Sequence, residues 1–194
     1  STPKPSSAAS DVYKRQDYTN ERAVAAANTY DSLLQGRESG ESAEEMALIS
    51  AGLRETHDGG AFAAFASLQV AAAAVEAGDL VLARDELESV MATIELDSTL
   101  GQLVQLRLAR VIAASGDEAT AVAILEQGSS SFPASYAQAL GDIHLAAGRE
   151  SEALMAYQSA QTESLALGGQ LGLVDLKVSG LSLRDAEDSI EDSQ

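Results

Sequence analysis

Apolar residues recur every three or four positions through most of the chain, the spacing that gathers them on one face of an α-helix. The first such run covers 21–35, with Val24, Ala27, Tyr30 and Leu34 on one face. A break at 36–40 follows. Ser42 and Glu45 then form a capping-box pattern that opens a second helix carrying Met46, Ile49 and Leu53. Residues 56–60 read as a loop. Three helix pairs come next: 62–77 with 80–93, 100–114 with 118–127, and 135–147 with 151–164. Gly168-Gly169 ends the pattern, and 170–183 predicts a last helix with Leu171, Val174, Val178 and Leu181 along one side.

The three pairs share one junction. Gly78, Gly116 and Gly148 each precede by five residues an alanine, Ala83, Ala121 or Ala153. A glycine closing the first helix of a pair can take the left-handed conformation without a Cβ clash. Asp79 and Asp117 follow directly, where a carboxylate can accept the unpaired N–H groups of the next helix. The third copy has Arg149 there, so its cap must come from elsewhere. It also carries the fullest small-and-large pattern, Leu140-Gly141 in one helix and Ala153, Tyr157 and Ala160 in the next. The glycines are 38 and 32 residues apart, bracketing the tetratricopeptide period of about 34. The pattern predicts an all-α, tetratricopeptide-like α-solenoid of stacked helix hairpins with a C-terminal capping helix. One hairpin cannot bury its own apolar face, and stacked arrays commonly hold partner proteins.

Composition agrees with an ordinary helical fold. The chain is 45% hydrophobic but only 4% aromatic, which predicts a thin core of close-packed Ala, Leu and Val. At this length one helical domain can bury about two-thirds of its extended surface. That domain is expected to span 17–183. Residues 1–16 are polar, hold two of the three prolines and show no periodicity. The string from Ser6 to Gln16 resembles translated adaptor sequence, so 1–16 is expected to be non-native, or else a native disordered arm. In the first case the natural N-terminus, with any signal or anchor, lies outside this chain. Residues 184–194 are acidic, Ser-rich and expected to be disordered. No segment has the roughly 20 uninterrupted apolar residues of a spanning helix.

Charge narrows the partners. There are 30 acidic and 12 basic residues, a formal net charge of −18; without residues 1–16 the balance is 29 to 9, or −20. Such a surface repels nucleic-acid backbones and anionic membranes. It reads either as a solubility feature or as a preference for basic partners.

Catalytic chemistry is hard to place. The chain has no cysteine, hence no thiol nucleophile, disulfide or thiolate metal site. Its two histidines are His57, in a Gly-rich loop, and His144, mid-helix at a core-facing repeat position expected to be packed or capped. No metalloprotease, phosphate-loop or dinucleotide-binding string occurs. The acidic clusters Glu44-Glu45 and Asp85-Glu86 with Glu88 read as solvated helix faces, because paired catalytic carboxylates need a shared cleft. The expectation is a non-enzyme with no cofactor and no metal.

Two cations stand out. Arg107 and Arg110 sit inside the otherwise apolar run Leu106-Arg107-Leu108-Ala109-Arg110-Val111 of an acidic chain. On one reading each pairs with a carboxylate of a neighbouring repeat while its stem covers apolar surface. On the other they face a concave groove. Counting back from the repeat glycines places Phe65, Leu68, Arg110, Gln138 and Asp142 on that face, able to hold an extended segment or helix of a partner.

The run 103–111, ending in those residues, resembles the YfgM family, the ancillary subunit of the SecYEG translocon. Further points of similarity are Ala66-Ser67-Leu68-Gln69-Val70-Ala71, Leu140-Gly141-Asp142 followed by Gly148, and Leu173-Val174-Asp175-Leu176-Lys177-Val178 before Leu181-Ser182. The resemblance covers about 17–183 and is strongest around Arg107 and Arg110. It implies the periplasmic domain of a bacterial inner-membrane protein, anchored by one upstream helix that this chain does not contain. It also implies association with SecYEG and with a PpiD-like periplasmic chaperone, in the service of newly exported proteins. A soluble scaffold, either for envelope assembly or cell division or as a cytoplasmic adaptor, is the alternative.

Overall fold

A computed structural model describes residues 6–56, 60–169 and 172–191; His57, Gln170 and Leu171 lie outside them. The described residues are helical, with no strand among them, and their contacts fall into two compact units, Ser1–Ile94 and Glu95–Gln194.

The first unit holds α1 (Ser6–Glu38), α2 (Ala43–Thr56), α3 (Ala61–Ala77) and α4 (Leu80–Met91). The expected capping box is present: Glu45 N–H donates to Ser42 Oγ at 3.2 Å, and Ser42 N–H donates to Glu45 Oε2 at 2.9 Å. Met46 and Leu53 of α2 pack with Ala26 and Leu33 of α1 and with Ala63, Ala66 and Val70 of α3. The apolar face of α1 differs from the expected one. Val24 is exposed, and the buried stripe is Ala26, Leu33 and Gly36 with Tyr30 beside it. Alanines lie all round this helix, so its sequence offers two apolar faces, and the fit of Leu33 between α2 and α3 selects one. The helix also begins at Ser6 rather than at residue 21, running through residues 9–16 with every one of them exposed.

The second unit holds α5 (Thr99–Ala114), α6 (Glu118–Leu125), α7 (Pro133–Ala146), α8 (Glu150–Ala166) and α9 (Gly172–Glu191). Here α5 pairs with α6, α7 with α8, and α9 packs on α8. Val174, Val178 and Leu181 of α9 meet Tyr157 and Ala153 of α8, as the spacing predicts. The helix then continues to Glu191, through the stretch expected to be a disordered tail.

The repeated junction forms as expected in all three copies. Gly78, Gly116 and Gly148 have φ of +81°, +92° and +74°. Each donates to a carbonyl of the last turn, and the residue after it reaches one residue further back, at 2.8–3.2 Å, which uses carbonyls the helix end leaves free. Asp79 Oδ1 accepts from Leu82 N–H at 2.9 Å and Asp117 Oδ1 from Thr120 N–H at 3.3 Å. Arg149 makes no side-chain cap. Ala83, Ala121 and Ala153 are completely buried where the second helix lies against the first.

Candidate partner-binding site

Of the six residues expected to face a partner, Phe65 and Leu68 belong to the first unit and Arg107, Arg110, Gln138 and Asp142 to the second. Phe65 is exposed on α3, in a cluster with Tyr30 and Phe62 at ring-centroid distances of 6.1 and 6.3 Å. Leu68 is half-buried one turn further along. The cluster is an aromatic surface that the first unit presents between α1 and α3.

In the second unit α5 and α7 bring charged groups near one another. Arg107 and Arg110 are exposed, one turn apart, between Leu106, Leu108, Ala109 and Val111, all buried. Burial of its stem, and then the charge of Arg107, hold Arg110 below the ordinary arginine pKa, while Asp142 acts in the opposite sense. Asp142 is itself engaged: its Oδ1 accepts from the Tyr157 hydroxyl at 2.7 Å and from Lys177 of α9, whose ammonium lies 5.0 Å from the centre of the Tyr157 ring. Burial first, then this bond and the carboxylate's charge, raise the Tyr157 phenol far above its usual range. Gln138 is half-buried on α7.

The two arginines do not pair with neighbouring carboxylates, as one reading of the sequence expects: neither forms an ion pair with any described residue. The carboxylate whose field reaches Arg110 is already held by a tyrosine and a lysine. Glu86, expected on a solvated face, is instead buried. It is 4% exposed and ion-paired to Arg54, Oε2 to Nη1 at 2.6 Å. Ser50 and Ser67 complete the cluster, 3.1 Å apart and both bonded to the same guanidinium. Its neighbours do follow the expectation: Asp85 is exposed and Glu88 pairs with Arg84 at the surface.

Sequence reasoning also missed Gln102. Its side-chain nitrogen donates to Asp97 O at 2.8 Å and to Ser130 Oγ at 3.0 Å. Its oxygen accepts from Ser131 N–H at 2.9 Å and from Ser129 Oγ. These bonds staple the α6–α7 loop to the start of α5 beside an open cleft of about 540 Å³ that Leu96, Asp97, Gln105 and Gln127 also line. A glutamine 27 to 29 positions from the serines it binds carries no signal of this in one dimension. Both ends of the amide are therefore engaged within the fold. His144 is packed as expected, its Nδ1 accepting from Arg149 Nε at 3.0 Å. Among the described residues no group of three or more His, Cys, Asp or Glu side chains is placed to hold a metal, and no helix is long and apolar enough to cross a membrane.

A family model described as a tetratricopeptide repeat-like domain matches residues 7–182. No curated protein and no solved structure matches the chain.

Proposed function

The chain belongs to the tetratricopeptide repeat-like domain family, and on that premise we propose that it is the periplasmic, non-catalytic protein-binding domain of a membrane-anchored ancillary subunit of the SecYEG translocon. Such folds act as interaction scaffolds, because stacked hairpins leave one helix row free to receive a partner. The observation that carries a binding role is the pair Arg107 and Arg110, exposed on α5 and ion-paired to no described residue. The same two residues lie at the heart of the YfgM-like run 103–111, which supports the translocon as the partner and a PpiD-like chaperone as a companion on newly exported proteins.

Site-specific crosslinking from the surfaces of α5 and α7, in cells expressing the protein with its native upstream sequence, tests this reading. Adducts with SecYEG subunits or with the periplasmic chaperone are expected. Adducts confined to division or envelope-assembly proteins, or a protein found wholly in the cytoplasm, would replace it with the soluble-scaffold alternative.

A further inference from the structure

We propose that Arg107 and Arg110 together receive a carboxylate-bearing segment of a partner protein, making α5 an acceptor of acidic peptide on an otherwise acidic molecule. The inference rests on the protein-binding reading above and specifies the chemistry of the partner.

From Asp17 onward the chain has nine basic residues. Six of them, Arg37, Arg54, Arg84, Arg149, Lys177 and Arg184, are ion-paired within the fold. Arg22 donates to the Thr56 carbonyl. Arg107 and Arg110 alone among these have neither kind of bond to a described residue, although acidic side chains outnumber basic ones about threefold. In such a surplus a carboxylate is the easiest partner for a surface arginine to find. Two arginines without an ion pair repel each other on a single helical turn, and Asp142, the carboxylate that acts against this at Arg110, is already held by Tyr157 and Lys177. A carboxylate bound there relieves that repulsion, and the planar guanidinium fork suits it bidentately.

The net charge selects the form of the anion. An extended polyanion such as a nucleic-acid duplex or an anionic leaflet meets the field of the whole chain, formally −18, and is repelled. A short acidic segment senses chiefly what lies within a Debye length, about 8 Å at physiological salt, and at this place that includes both guanidinium groups.

The test uses the full chain and a fluorescein-labelled peptide rich in glutamate, with a glutamine-for-glutamate copy as its control, read by fluorescence anisotropy. The expected result is binding of the glutamate peptide, weakened about tenfold or more in the glutamine copy and in the Arg107→Gln/Arg110→Gln variant. Added salt should weaken it further. The Arg107→Lys/Arg110→Lys variant keeps the charge and loses the fork, so it should bind with intermediate affinity; it also serves if the glutamine variant loses its helical circular dichroism. Failure of the glutamate peptide to bind, equal binding by the glutamine copy, or unchanged affinity in a folded glutamine variant would overturn the proposal. Stronger binding to phosphatidylglycerol vesicles than to the peptide would overturn it too, in favour of a membrane contact. Crosslinks to SecYEG that survive the double glutamine change would sink this inference and leave the translocon reading intact. Peptide binding without such crosslinks would do the reverse.

Discussion

The ring of Tyr157 lies directly on Gly141: a Cβ built on that glycine would stand 2.5 Å from both Cδ1 and Cε1 of the tyrosine. This contact lets α8 close onto α7. It also delivers the Tyr157 hydroxyl to Asp142, the residue next to the glycine. One small and one large residue thereby fix both the spacing of the hairpin and the charge arrangement on its surface.

Gly141→Ala should therefore destabilise the protein by about 1–3 kcal/mol, because a rigid aromatic ring must move to admit the methyl group. Gly52→Ala is the matched control. Gly52 is in the interior of α2 with nothing within 4 Å of a built Cβ, so the substitution should stabilise by about 0.5–1 kcal/mol. Thermal unfolding followed by circular dichroism reads both signs.

The Arg54–Glu86 pair predicts non-additivity. Arg54→Met or Glu86→Leu alone leaves a buried charge facing two serine hydroxyls and should cost about 3–5 kcal/mol. The double variant should recover much of that loss, since the apolar pair leaves no unpaired ion and Ser50 and Ser67 still bond each other. Urea unfolding of the four proteins closes the cycle; additive losses would mean the two charges do not share one site.

The caps predict a graded series. Asp79→Ala should cost about 1 kcal/mol. Asp117→Ala should cost less, because its bond to Thr120 N–H is 3.3 Å against 2.9 Å for the first. Equal losses in denaturant titrations would show that the difference in bond length carries no energy.

Two tyrosines set an alkaline limit. Burial raises the pKa of Tyr136, and burial with the Asp142 contact raises that of Tyr157. A group whose folded pKa exceeds its unfolded value contributes stability that is complete below the unfolded value, about 10 for tyrosine, and is lost as pH climbs towards the folded value. Stability should thus fall above about pH 10, with part of the tyrosinate absorbance appearing only as helicity is lost. Tyr157→Phe should lessen that fall while costing about 1 kcal/mol at neutral pH.

Short-range chemistry was legible in one dimension. The capping box at Ser42 and Glu45, the left-handed glycines, the Asp79 and Asp117 caps and the buried alanines each depend on residues within a few positions of one another. The limits of α3 and of α5 agree with the pattern to within one residue. The face of α1 was not legible, because Val24 and Leu34 compete with Ala26 and Leu33 in an alanine-rich helix and only packing against α2 and α3 decides. Glu86 was not legible either, since Arg54 is 32 positions away and nothing near Glu86 in the chain distinguishes it from Asp85. For the candidate site, the sequence singled out Arg107 and Arg110 by their residue type in an apolar run, but left open whether they had partners.

By itself, then, the sequence determined an all-helical, tetratricopeptide-like chain of hairpins and where most of those hairpins turn, because glycine φ, side-chain caps and helical periodicity act over one or two turns. Tertiary structure alone decided which charges are used within the fold. Asp142 goes to Tyr157 and Lys177, Glu86 goes to Arg54, and Arg107 and Arg110 form no ion pair with a described residue. Ion pairing depends on distances of a few ångströms between residues about 30 positions apart, and those distances are set only when the helices pack.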